Sequence, residues 1–251
     1  MKKSTIKLFT IMALMIIGSS AMAQGGLTPL VGSTHVYNVT PGGSNTFAWS
    51  VTPATGFSIT GDNTDEATIT WTTAGVYTLQ FTETDATTHC ATVKTATVTV
   101  AANSFDVSTA SPAAFCNSAD GQINYAGSTA TTSISVPVNM ATGISGFNPN
   151  WEITFTLSPN SGTAIANVAA SSGTLSGAGP YTVTGLTSAS GAGTVNITMD
   201  LTGDIYTARD VVLAITSAKE LTYNTPDKDT DDWTATQTVN PIPQTSTITT
   251  D

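Results

Sequence analysis

Basic residues are scarce in this chain: seven Lys and Arg stand against seventeen Asp and Glu, for a formal charge of −10. Three of the seven, Lys2, Lys3 and Lys7, sit at the very start. So few cations cannot neutralise a row of phosphates, which excludes nucleic acid as a partner. Histidine is limited to His35 and His89 and cysteine to Cys90 and Cys116, with no HxxxH or CxxC pair among them. A zinc centre needs three or four closely spaced ligands and finds none here. The G-x-S-x-G turn of a serine hydrolase is absent. The four glutamates, Glu66, Glu83, Glu152 and Glu220, stand in no context that marks a paired acid and base. The expectation is a protein without enzymatic activity or a resident cofactor.

Long apolar runs are also missing, apart from Leu8–Ile17. That run is about ten residues, half of what a membrane-spanning helix requires. It follows a basic head and precedes SSAMA, so residues 1–23 read as a secretory signal peptide cut before Gln24. The cut removes three positive charges and moves the formal charge from −10 to −13. The expected location is beyond the inner membrane, at the cell surface or outside it, with the periplasm as the other compartment on that route. No membrane insertion is expected after cleavage. In an oxidising compartment two cysteines favour a bond, so Cys90–Cys116 is the expected disulfide. Its loop of about 27 residues would contribute about 3–4 kcal/mol.

What the chain has instead is Thr, Ser, Ala, Gly and Val in period-two alternation. Phe47, Trp49 and Val51 share one face of NTFAWSV, Ala67, Ile69 and Trp71 one face of EATITW, and Tyr77, Leu79 and Phe81 one face of GVYTLQF. The other faces are hydroxyls and amides, the pattern of half-buried antiparallel strands. Core packing is therefore assigned to Phe47, Trp49, Ile69, Trp71, Tyr77, Leu79 and Phe81. Turn signals recur at PGGSN, TPATG, TGDNTD and TTAG, at the spacing of a sandwich. The fold class is all-β, two immunoglobulin-like antiparallel β-sandwiches in tandem. The divisions are 24–101, 102–239 and a C-terminal tail or edge strand at 240–251. Within the second unit the Ala/Ser/Gly stretch 163–179 is expected to be mobile.

FAWSVTP at 47–53, ITWTTAGVYTLQFTETDATTHC at 69–90 and TATVTV at 95–100 together resemble the PKD-like, immunoglobulin-type repeats of secreted surface proteins in gliding, type IX-secreting Gram-negative bacteria. AWSVTP stands where PKD domains proper carry WDFGDG. The resemblance covers the first unit and implies a non-enzymatic surface module for adhesion or gliding motility. The partner it implies is a larger surface protein or like subunits.

Two local features suggest chemistry. In TPDKDTDDW, Asp227, Asp229 and Asp231 match the first three ligands of a D-x-D-x-D calcium loop. Asp232 stands where the loop needs Gly and Thr238 where it needs Glu, so two readings stay open. One is a calcium half-site completed by Asp204 or Asp210, the other a solvated hairpin tip. Trp151 and Trp233 are less constrained than the tryptophans of the first unit and are the candidates for a sugar-stacking face, which would make the protein a carbohydrate-binding module.

Overall fold

The computed structural model describes residues 26–43, 45–116, 128–143 and 147–244, so the leader lies outside the described residues. The fold is all-β. In the first part the strands are β1 (Thr34–Asn38), β2 (Thr46–Thr52), β3 (Phe57–Thr60), β4 (Glu66–Trp71), β5 (Gly75–Thr84) and β6 (Ala91–Val100). They form two antiparallel sheets, β1-β4-β3 and β2-β5-β6, the B-E-D and C-F-G arrangement of an immunoglobulin sandwich. Val51, Ile69, Trp71, Tyr77, Leu79, Val98 and Val100 fill the space between them. Phe81 is buried, whereas Phe47 and Trp49 are half-buried. Phe47 stacks on Phe81 at 5.8 Å, and the Trp49 indole donates to Thr64 O at 2.9 Å, which places Trp49 against the β3–β4 turn.

The second part contains β7 (Asp106–Thr109), β8 (Phe115–Cys116), β9 (Thr129–Ala141), β10 (Asn150–Pro159), β11 (Ala164–Ala170), β12 (Thr174–Gly177), β13 (Tyr181–Thr187), β14 (Ala192–Asp204), β15 (Arg209–Glu220), β16 (Thr225–Pro226) and β17 (Thr234–Asn240). One sheet runs β11-β14-β9-β7 and the other β12-β13-β10-β15-β17-β8, with β16 paired to β15. Twenty-one buried residues from Phe105 to Val239 make one core between these sheets, with Trp151 and Phe155 among its largest side chains. The stretch 163–179, expected to be mobile, supplies β11 and β12. Its pattern is faint because each is an edge strand that half-buries few apolar side chains, Ile165 and Leu175 among them.

The two strand sets share no ladder among the described residues, and they meet end on. Gly32, at φ +89°, lies against the Pro226 ring, where an added Cβ would be in ordinary contact at 3.7 Å. Asn224 donates to Thr34 O, and Asn103 donates to Pro226 O at 3.0 Å. Strand directions fix the remaining geometry. Val100 and Glu220 lie at this joint, while Ala91 and Arg209 lie at the far ends of their strands.

That geometry corrects the disulfide expectation. Cys90 lies at the far tip of the β5–β6 hairpin, about 33 Å of strand from the joint. Cys116 pairs beside Asn240, at the far end of the other sandwich. A bond requires Cα atoms about 4.4–6.8 Å apart. Both thiols are free and exposed.

Candidate functional site

The acidic stretch Asp227–Asp232 lies along β7, the edge strand of its sheet, and supplies the pairing that the edge would otherwise lack. Lys228 N donates to Phe105 O at 2.9 Å, Val107 N to Asp227 Oδ2 at 3.0 Å, and Thr109 N to Asp232 O at 2.9 Å. Asp227 Oδ2 also accepts the Trp233 indole N–H at 2.8 Å. One carboxylate therefore ties the edge of one sheet to the residue leading into β17 of the other.

Three carboxylates converge here, but not the three that the sequence pattern names. Oxygens of Asp106, Asp229 and Asp232 lie within 4.8 Å of one another; Asp227 and Asp231 are not in that group. Neither Asp204 nor Asp210 completes it. Asp204 belongs to the far end of β14, where its carboxylate accepts Tyr206 N, and Asp210 pairs with Thr238 at the far end of β15. Asp106 joins because β7 brings it across from a position 121 residues upstream of Asp227 in the chain.

A cation already bridges two of the three. Lys228 Nζ reaches Asp229 Oδ2 at 2.7 Å and Asp106 Oδ2 at 3.2 Å. Its hydrogen bonds, to Asp229 first and then Asp106, hold its pKa well above the usual lysine range, and the same contact pulls Asp229 down. Burial, with the nearby Asp106 charge as a lesser cause, pushes Asp227 up. Asp106 Oδ1 and Asp227 Oδ1 are both buried without a hydrogen-bond partner. Calcium wants about six to eight oxygens. Three carboxylates, two of them already paired with an ammonium, do not fit it. Adding calcium is expected to leave the melting temperature where EDTA leaves it. A calcium-dependent rise in a thermal melt of the wild-type chain would contradict this assignment, and Lys228→Met, which removes the internal cation, is the variant in which such a rise is expected.

The sugar-stacking residues are also placed otherwise. Trp151 is 1% exposed, wedged beside Gly193, with its indole nitrogen buried. Trp233 is half-buried against the same core and held by Asp227. Neither presents a ring face to solvent alongside the other, which corrects the carbohydrate-binding expectation.

Several polar residues lie buried or half-buried outside the acidic stretch. Ser33 and His35 are hydrogen-bonded at 2.9 Å, yet Ser33 is fully buried and donates to Leu30 O at 2.6 Å, which makes it part of the turn at the joint. Burial lowers the His35 pKa. Arg209, 1% exposed, donates to Ala130 O, Leu201 O and Thr132 Oγ1 at 2.8–2.9 Å, and burial lowers its pKa too. Glu220, 0% exposed, accepts Thr222 N, Tyr223 N and Thr225 N, and so shapes the loop that presses Pro226 on the first sandwich.

No protein-family profile matches the chain, and no curated protein does. Among solved structures, the fibronectin(III)-like modules of Clostridium thermocellum CbhA align at 9% identity and TM-score 0.32 over 89% of this chain and 95% of theirs. The D00-D0 domain of intimin aligns at 14% identity and TM-score 0.25, over 86% and 95%. The C-terminal domain of the Streptococcus agalactiae AgI/II polypeptide BspA aligns at 7% identity and TM-score 0.31, over 84% and 95%. These matches do not give the chain's family. No helix among the described residues is long and apolar enough to cross a membrane.

Proposed function

We propose that this protein is a non-enzymatic structural and adhesive component of a Gram-negative cell surface, an accessory subunit that docks to a larger surface protein or filament. The observation that carries this reading is the braced joint. Gly32 against Pro226, Asn224 on Thr34 and Asn103 on Pro226 hold two sandwiches end to end, and Glu220 fixes the loop that makes these contacts. Such a joint suits a spacer that transmits position.

The outer sheet faces fit the same role. Thr52, Thr78 and Thr97 form one row across β2, β5 and β6, and Ser50, Gln80 and Thr95 the next. Hydroxyl rows of this kind keep the sheet soluble at low charge and leave strand edges as the places where another chain can add. The test is affinity capture of the native protein from surface-sheared cells. Recovery of a much larger, repeat-bearing protein is the expected result. Recovery of the monomer alone, in the periplasmic fraction, overturns the reading.

A further inference from the structure

On one side of the first sandwich no further strand pairs among the described residues. An immunoglobulin sandwich normally runs its first strand along one of the two edges that meet there. Here Leu30 makes a single parallel bridge to Ala101, through Val31 N to Ala101 O and Ala101 N to Pro29 O, both 2.9 Å, and the chain then turns at Gly32 into β1. Beyond that bridge, the outward edge of β6 has no ladder partner among the described residues. Its residues Ala91–Thr95 are exposed on both faces, where a strand with one buried face would alternate. Behind this edge lies a cleft of about 180 Å³ lined by Tyr37, Trp49, Leu79, Phe81, Lys94 and Ala96. Apolar cavities of about 150 Å³ accommodate a benzene molecule, so the cleft has room for one branched aliphatic side chain.

A segment with matching chemistry leaves the other end of the molecule. After β17 the sequence reads PIPQTSTITTD over 241–251. Pro241 and Pro243 have no N–H to extend the β17 ladder. The residues that follow are dominated by threonine, with Ile248 the one apolar side chain after Pro243 and no basic residue. Ile242 N donates to Ile205 O at 2.9 Å, which starts the segment at the end farthest from the joint. β15 alone spans about 40 Å between that end and the joint, and the cleft lies beyond the joint. Nine residues from 242 reach about 32 Å at most. The segment cannot reach its own cleft.

We infer that residues 244–251 of a second copy of this chain add as a strand along the free edge of β6, with Ile248 in the cleft and Asp251 drawn toward Lys94. Donor and acceptor lie at opposite ends of one molecule, so the contact is head to tail and repeats into chains. The inference rests on the reading of the protein as a surface structural component and gives that component its like partner.

The test is sedimentation of the exported chain, from residue 24, over a range of concentration. The expected result is mass that grows with concentration, and association roughly tenfold weaker or worse for Ile248→Asp and for Ala96→Trp, which fills the cleft. A synthetic peptide of residues 241–251 should dissolve the assemblies, and the same peptide with Ile248→Asp should not. If Ala96→Trp lowers the melting temperature, the peptide pair decides. A monomer at every concentration overturns the inference, as do assemblies indifferent to Ile248 and to the peptide. A monomer that still captures a larger surface protein sinks the self-docking while leaving the accessory-subunit reading in place.

Discussion

Replacing Trp71 with alanine is expected to destabilise the first sandwich by about 3–5 kcal/mol, the cost of removing a large buried aromatic from a packed core. Trp71 has no exposed surface and is the hub of that core. Tyr77 lies 4.8 Å from it, Phe57 6.0 Å, and Tyr37 meets it edge-on at 6.4 Å. Its indole donates to the Tyr37 hydroxyl, which in turn donates to Gly26 O and whose pKa burial pushes up to about 12. The deletion therefore opens a cavity and also unties the segment leading to the Leu30 bridge. For a sandwich this small, each kcal/mol moves the melting temperature by about 4–8 °C, so calorimetry should show the first sandwich melting more than about 10 °C early. A loss below about 1 kcal/mol in urea titration would mean that the core is not built around this ring.

The second large effect concerns Glu220. Truncation to alanine leaves Thr222 N, Tyr223 N and Thr225 N without their acceptor at a site closed to water, and each orphaned donor costs about 1–3 kcal/mol. A total of about 3 kcal/mol or more is expected, with Glu220→Gln milder because its carbonyl keeps part of the set. The pH dependence separates the two terms. Burial raises the Glu220 pKa, against the three N–H donors that lower it. The folded state then holds the proton more tightly than the unfolded state does. Stability from this group is full below the unfolded value of about 4.5 and declines as pH rises from there through the raised folded value. Asp227, raised for the same first cause, adds a slope of the same sign above about 3.8. Glu220→Gln should flatten its share of this decline in denaturant titrations. An unchanged slope in the glutamine variant would place the decline elsewhere.

The alternation in EATITW and GVYTLQF was enough to name Ile69, Trp71, Tyr77, Leu79 and Phe81 as inward-facing, and they are buried. Those strands are covered on one face along their length, so period two survives in the sequence. β11 and β12 escaped notice because edge strands with half-covered faces leave little apolar signal. Trp151 looked unconstrained for a different reason. It lies in β10 in phase with Ile153 and Phe155, and all three are buried, so WEITF carried the same alternation and its reading as a free ring overlooked it.

Residue types alone determined that this chain is all-β, acidic and hydroxyl-faced, because side-chain alternation and charge are local properties that survive any arrangement of strands. The pairing of distant groups was decided by tertiary structure. Asp106 meets Asp229 and Asp232, and pairs with Lys228, only because β7 lies along the acidic stretch. Cys90 and Cys116 are kept apart because their strands run away from the joint in opposite directions. Glu220 collects three amides only because its loop folds back on it. Each depends on register and strand direction, which are set by the burial of whole faces and cannot be read from the spacing of the residues involved.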